Sequence, residues 1–150
     1  VGERNPMAHN NYSAAGLPTL DFRNNIVWRW GRNNGTGSGV GTSISYNATG
    51  NVINNYYYST SSSSNAITRS DGYGAGNTGK VYAAGNVSGN NGVNPNSVSN
   101  VPEYSIPAQY QVSLLPACEA ARQVLLRAGT TKKTVQEQSW ISAVILPNCQ

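Results

Sequence analysis

The sequence is short of charge, of sulfur and of long apolar runs. Only 11% of its 150 residues are charged, and it has two cysteines, one methionine and one histidine. Such a composition is not that of a coiled coil or of a typical cytosolic enzyme. One histidine and two distant cysteines are too few for a zinc cluster, and no sequence spacing indicates a Ser-His-Asp triad. Because no apolar run approaches the roughly 18 residues that cross a bilayer, we expect no membrane contact.

The basic residues outnumber the acidic ones, but they are spread along the chain. The formal net charge is +4, and only Lys132 and Lys133 are adjacent among the ten basic residues. A nucleic-acid interface would be denser, so we expect no nucleic-acid partner. The charge is compatible with an acidic ligand such as a polyuronate. An ordinary solvated surface is the alternative.

Pairs of asparagines stand beside the most β-prone runs. Asn24–Asn25 precede "IVWRW", Asn54–Asn55 precede "YYY" about 30 positions on, and the pattern returns around Asn90–Asn91. Asparagine tolerates the left-handed backbone region, so the pairs indicate corners. Short strands between frequent turns predict an all-β fold, either a sandwich or a parallel solenoid. The recurrence favours the solenoid, in which equivalent asparagines stack as hydrogen-bonded ladders.

The chain divides into two segments that differ in residue composition. Residues 1–94 are predicted to form the coils, with Gly/Ser-rich exposed loops at 31–41 and 59–65. Residues 95–150 are predicted to form an extended, proline-punctuated strap and a helical cap packed on the coils. They form a single domain or part of a larger one.

The cap is predicted to contain one or two short helices. Residues 116–129 read as a helix that begins near Pro116 and ends at Gly129. A weaker helix follows in "KTVQEQSWISAVI", where Val135 and Trp140 are predicted to point inward. These helices are expected to cover an open end of the solenoid.

The two cysteines, Cys118 and Cys149, lie on either side of the C-terminal segment. The composition is that of an exported chain, so we predict a disulfide between them and a secreted, extracellular location. Free buried thiols are the alternative.

The residues that could carry chemistry are few. Trp28 and Trp30 lie two apart and are predicted to share one face of a strand, where they stack on sugar rings or form core. The chain has six acidic residues; none are paired for hydrolysis or for calcium, so no metal site is predicted. His9 reads as a surface or turn residue.

Four phrases carry a family resemblance when they are taken in order. They run from Leu20 to Val144 and read "LDFRNNIVWRWG", "NVINNYYYS", "GKVYAAGNV" and "SIPAQYQVSLLPACEAARQVLLRAGTTKKTVQEQSWISAV". This order resembles the C-terminal half of a secreted pectate lyase of the polysaccharide lyase family 1 type. The resemblance implies a right-handed parallel β-helix with asparagine ladders at its turns.

The resemblance also implies site residues. Its catalytic signature has the form R-x-P-x-x-R, and Arg4 and Pro6 match its first half within "ERNPMAH". Arg4 would then be the base that removes the proton α to the uronate carboxylate. His9 stands where the second arginine is expected and would contact substrate. The family's calcium ligands come from coils that would precede Val1, so no cofactor is expected in this chain although Ca²⁺ serves the family.

Three functions follow as hypotheses. The first is a pectate-lyase-like β-helix that acts on acidic plant-type polysaccharide by β-elimination, or derives from such an enzyme, and is incomplete as this chain. The second is a non-enzymatic extracellular structural or assembly subunit, whose partner is a set of missing N-terminal coils or another copy of the chain. The third is a carbohydrate-binding solenoid that uses the Trp28 and Trp30 face.

Overall fold

The structure is a computed structural model that describes residues 6–9, 19–30, 39–59, 65–70, 78–90, 92–127 and 132–149. Nine short strands are described: β1 Met7–His9, β2 Thr19–Arg23, β3 Ile26–Trp28, β4 Val40–Ser45, β5 Thr49–Ile53, β6 Tyr56–Tyr58, β7 Asn65–Ser70, β8 Lys80–Ala84 and β9 Val87–Ser88. A 3₁₀ turn, Ala108–Tyr110, precedes two helices, α1 Ala117–Arg127 and α2 Val135–Ser142. No helix in these ranges is long and apolar enough to cross a membrane.

The strands pair in parallel and form three sheets. The sheet orders are β1-β4-β7, β2-β5-β8 and β3-β6-β9, which we name sheets A, B and C. Each sheet takes one strand from each of three successive segments, and we call each three-strand segment a coil. All six pairings are parallel. The prediction of stacked parallel strands is therefore confirmed over a sandwich, and the arrangement is consistent with a parallel β-helix.

Alternation along the strands places one column of side chains inside and the next outside. In sheet B, Phe22 pairs with Val52 and Val52 with Ala83, and all three belong to one apolar core. The neighbouring column begins with Asp21 and continues with Asn51. Because side chains alternate with a period of two, the parallel register stacks like on like.

The asparagine pairs form the corner between sheets B and C, and their two members have different tasks. The first member takes the left-handed backbone that bends the chain, with φ of 57° at Asn24 and 53° at Asn54. In the third coil Gly85 takes this place with φ of 64°. The pattern therefore returns at Gly85–Asn86 and not at the predicted Asn90–Asn91, of which Asn91 lies outside the described residues. Glycine adopts the left-handed region even more readily than asparagine, and its presence hides the repeat in the sequence.

The second member of each pair forms a ladder along the stack. Asn25 Nδ2 donates to Asn55 Oδ1 at 3.1 Å, and Asn55 Nδ2 donates to Asn86 Oδ1 at 3.0 Å. Asn86 Nδ2 then donates to Asn96 Oδ1 at 2.9 Å. The predicted ladder between Asn25 and Asn55 is confirmed, and Asn96 extends it into the segment after the last strand.

The segment after β9 covers the end of the third coil. The Asn100 side chain accepts a hydrogen bond from the Val81 amide at 2.8 Å, and Ser99 Oγ accepts one from the Ala83 amide at 3.1 Å. Val93 and Val98 pack against the apolar core at the same end. The prediction that the helices cover this end is wrong, since α1 contacts β3 and β6 on the side of the stack.

Helix α1 lies on the outer face of sheet C and is held there by the chain's end. Ala117, Ala120 and Ala121 are its buried residues. Cys118 and Cys149 are bonded, which confirms the predicted disulfide. Small side chains let the helix approach the sheet closely, so alanine rather than leucine forms the contact.

Helix α2 begins with a capping box and buries no residue. Val135 is 89% exposed and Trp140 is 63% exposed, so the prediction that they point inward is wrong. The capping box between Thr134 and Glu137 satisfies N–H groups at the start of the helix. Local capping, not a buried face, therefore defines where this helix begins.

Candidate functional site

The two tryptophans do not share a face. Strand β3 ends at Trp28, and Arg29 has a left-handed backbone with φ of 51°. The bend at Arg29 breaks the alternation on which the same-face prediction rested. Trp30 is 1% exposed and packs edge-on against Tyr57 at 5.9 Å between ring centroids. Trp30 is therefore a core residue with no ring face open to a ligand.

Trp28 instead pairs with an aromatic residue of the next coil. It lies in register with Tyr58, and their rings stack with centroids 4.5 Å apart and planes 26° apart. The spacing matches the roughly 4.8 Å between neighbouring strands, so the parallel register itself produces the stack. Both side chains are half-buried.

The glycine after β9 makes room for these aromatic rings. A Cβ atom on Gly89 would lie 2.9 Å from Tyr58 Cδ2 and would collide with Tyr56 Oη. The Tyr56 hydroxyl donates a hydrogen bond to the Pro147 carbonyl at 2.9 Å. Burial raises the pKa of Tyr56, and the nearby Tyr58 adds to the rise. The tyrosine therefore stays neutral and ties the C-terminal segment to sheet C.

The predicted catalytic end of the chain is described only in part. Arg4 lies outside the described residues. His9 is the last residue of β1 and pairs with Ser45, which pairs in turn with Ser70; its side chain also lies outside the described part. Arg69 is exposed on β7 beside this column. The described residues thus place one basic side chain near the strand ends of sheet A.

A charged cluster occupies the outer face of sheet B. Arg23 donates to Asp21 at 2.6 Å and to Glu103 of the strap at 2.9 Å. Burial lowers the pKa of Arg23, but the hydrogen bonds to the two carboxylates raise it more, and the net direction is upward. Both carboxylates are therefore engaged by one permanent cation.

The strap that supplies Glu103 also borders an open groove, which is lined by both polar and apolar side chains. The groove has a volume of about 370 Å³ and runs between Arg23 and the strap residues 103–114. Tyr104 anchors this strap, because its main chain and Asn51 exchange hydrogen bonds at 3.0 and 3.3 Å. The Tyr104 hydroxyl also donates to the Leu20 carbonyl. Burial is the main cause of the raised pKa of Tyr104.

The described carboxylates make structural contacts at three separate places. Asp21 and Glu103 bind Arg23, Glu119 accepts from Gln123 at 2.8 Å, and Glu137 serves the capping box of α2. Within the described ranges, no three His, Cys, Asp or Glu residues are grouped as metal ligands.

No protein-family model matches the chain, and no curated protein and no solved structure matches it.

Sequence reasoning missed Tyr58 as the neighbour of Trp28. The offset of 30 residues that aligns Asn25 with Asn55 also aligns Trp28 with Tyr58. The ladder spacing was thus the signal that could have found the stack. It could not have found the contact between Arg23 and Glu103, because these residues are 80 positions apart and the strap has no repeat.

Proposed function

We propose that this chain is part of a pectate-lyase-type β-helix with right-handed coils, and that it binds acidic polysaccharide of the polygalacturonate kind. The observation that carries the proposal is the asparagine ladder at the corner of three parallel sheets. The phrases that resemble the family supply these ladder residues, and the three parallel sheets are consistent with the fold that the resemblance implies.

The charge of the chain supports an acidic ligand. The net charge is +4, and Arg69 is exposed beside the column that contains His9. Arg4 and His9 would add to this basic surface on the resemblance alone. Cations near a uronate carboxylate attract it, and salt weakens such attraction between exposed charges.

We propose further that the isolated chain does not cleave polygalacturonate with calcium. β-Elimination at a uronate needs a cation to acidify the α-proton and a base to remove it. Calcium sites draw on several converging carboxylates, whereas those described here are engaged at three separate places, by Arg23, by Gln123 and by the first turn of α2. Arg4 would then be a base without the cation that acidifies its target.

The disulfide supports a location outside the cytosol. Disulfides persist in oxidising compartments, and Cys118 and Cys149 are bonded. Secretion is the simplest location for a chain that meets plant-type polysaccharide.

Binding is tested with polygalacturonate and with the same polymer after methyl esterification. We expect tighter binding of the free-acid form, and weakening as salt rises from about 50 to 300 mM. Equal affinity for both forms, or no binding to either, would overturn the acidic-ligand proposal.

Cleavage is tested by ultraviolet absorbance of the unsaturated uronate product. We expect none above background with or without added calcium. Absorbance that rises with calcium and vanishes in an Arg4→Ala variant would restore the chain to the enzymes.

A second candidate is a carbohydrate-binding solenoid, favoured by the half-buried Trp28–Tyr58 stack. Aromatic rings bind sugars by stacking, and a neutral sugar polymer would then bind as well as an acidic one. Trp28→Ala should abolish this binding. Trp140→Ala is the matched control, because Trp140 is exposed on α2 and is not part of the stack.

A further inference from the structure

Helix α2 is held at its two ends but not along its length. The capping box fixes its start, and the chain that follows it is tied to the core through Leu146 and the disulfide at Cys149. Within the helix, Glu137 and Ile141 are half-buried and no residue is buried. These two side chains are one turn apart, so α2 turns a single face toward the rest of the protein.

A cavity of about 310 Å³ lies beneath this face. Small-molecule sites have volumes of about 300–1,000 Å³ and are mostly apolar, with a few polar groups that orient the ligand. The cavity has both properties. It is lined by Ile26 of β3, Val124 and Leu125 of α1, Trp140 and Ile141 of α2, and Lys133 and Glu137 near the start of α2.

Helix α1 packs closely against sheet C at one end only. Its buried residues are Ala117, Ala120 and Ala121, all in its first half. Val124 and Leu125, in its second half, are only half-buried. Their apolar side chains stay partly in contact with water unless a ligand covers them, and the removal of apolar surface from water is favourable.

Two charged side chains border the cavity, and they differ in their partners. Glu137 Oε2 accepts hydrogen bonds from the Thr134 main-chain N–H at 2.7 Å and from Thr134 Oγ1 at 2.9 Å. These bonds lower the pKa of Glu137, and the charge of Lys133 adds only the smallest contribution. Among the described residues, no carboxylate forms an ion pair with Lys133. Glu137 thus serves the helix start, whereas Lys133 can meet a ligand.

The sequence around the cavity carries an excess of positive charge. Arg127 ends α1, and Lys132 and Lys133 precede α2, whereas Glu137 is the single acidic residue between positions 124 and 141. Grouped charges of one sign set up a potential that attracts a ligand of the opposite sign. An anionic head group is therefore favoured over a cationic or an uncharged one.

An aromatic body suits the apolar part of the cavity. Trp140 lines the cavity and is 63% exposed. A ring that packs on this indole covers surface that the protein leaves in water, and aromatic pairs gain more from contact than their buried area alone gives. A rigid ring also loses less conformational freedom on binding than a flexible acyl chain does.

We propose that the cavity between α1, α2 and Ile26 binds a small aromatic carboxylate. The ring system lies against Leu125, Trp140 and Ile141, and the carboxylate pairs with the Lys133 ammonium group. None of these residues carries the polysaccharide proposal, so this inference is independent of it.

The probes are naphthoate and its uncharged amide, naphthamide, which have the same rings and differ only in the head group. Each is titrated into the full chain with its disulfide intact. Binding is followed by calorimetry and by the NMR signals of the Trp140 indole N–H and of the Leu125 and Ile141 amides. We expect naphthoate to shift these signals and to bind about three- to fivefold more tightly than naphthamide, the effect of one partly exposed ion pair. Added salt should reduce this difference.

Two lysine variants test the contact with the head group. Lys133→Met keeps most of the apolar stem and removes the charge, so it should weaken naphthoate binding to the level of naphthamide and leave naphthamide binding unchanged. Lys132→Met is the matched control, because Lys132 is the adjacent cation and does not line the cavity. This control should keep most of the preference for naphthoate. Circular dichroism of both variants checks that the helices are retained.

Four results would each overturn the proposal. The first three are no binding of either probe at millimolar concentration, equal affinity of the parent chain for the two probes, and a preference for naphthoate that persists in Lys133→Met. The fourth is a set of NMR shifts confined to residues outside the cavity, because it would place the probe elsewhere on the protein.

Discussion

Asn55 and Asn86 occupy equivalent corners of neighbouring coils, and the main-chain N–H and Nδ2 of Asn55 both donate to Asn86 Oδ1. Asn55 is fully buried and Asn86 is 4% exposed. Asn55 Oδ1 also accepts from the N–H and Nδ2 of Asn25 in the preceding coil. These bonds fix the register between neighbouring coils, because a slip of one residue would leave their donors and acceptors unpaired.

The first prediction concerns the middle of the ladder. Asn55→Ala should lower the free energy of unfolding by about 3 kcal/mol, because it leaves the Asn25 amide and the Phe22 carbonyl without their partner and removes one of the two donors to Asn86 Oδ1. Urea unfolding measures the change. Asn25→Ala is the control and should cost less than half as much, since Asn25 is half-buried. Equal losses would contradict the view that the ladder is strongest where it is enclosed.

The second prediction concerns the first member of each corner, which has the left-handed backbone. Gly85→Ala should destabilise the protein by about 2 kcal/mol or more, because φ is 64° there and the new Cβ would collide with Asn54 Oδ1. Asn54→Gly should change stability by less than about 1 kcal/mol, since glycine tolerates the left-handed backbone. Thermal unfolding of both variants tests the assignment, and a mild Gly85→Ala effect would refute it.

The third prediction concerns the disulfide. Cys118 and Cys149 are 31 residues apart, and a loop of that length corresponds to about 4 kcal/mol of stabilisation in the chain-entropy model. Reduction should therefore lower the midpoint of denaturant unfolding and loosen the contact between Tyr56 and Pro147. A Cys118→Ser/Cys149→Ser variant should match the reduced protein and ignore added reductant. A midpoint that does not move on reduction would show that the C-terminal segment is held by packing alone.

The fourth prediction is a pH dependence in α2. Hydrogen bonds from the Thr134 main chain and side chain lower the pKa of Glu137. A group whose pKa falls on folding contributes stability above its unfolded pKa and loses it as the pH drops through the folded value. The protection factors of the α2 amides, with the intrinsic exchange rate at each pH divided out, should therefore fall below about pH 4, the range in which a free glutamate titrates. Glu137→Gln should remove this dependence, and Thr134→Val should remove only the side-chain part of it, because the Thr134 main-chain N–H still donates to Glu137. Ser139→Ala on the same helix should leave the dependence intact.

The sequence by itself determined the all-β class, the parallel solenoid and the ladder between Asn25 and Asn55. These features are periodic, and a period is visible in a single chain because stacked coils repeat the same local requirement. The disulfide was also predictable, since the chain has only two cysteines.

Tertiary structure alone decided the rest. The bend at Arg29 sent Trp30 into the core and left Trp28 to stack on Tyr58. The segment that contains Asn96 covers one end of the stack, whereas the sequence pattern predicted that the helices would cover an end. Such contacts join residues that do not belong to the same sequence repeat. In addition, a single residue with a left-handed backbone changes which face of the strand the following side chains point to. Local β-propensity determines where the strands form, but long-range packing determines which of their side chains stay exposed to a ligand.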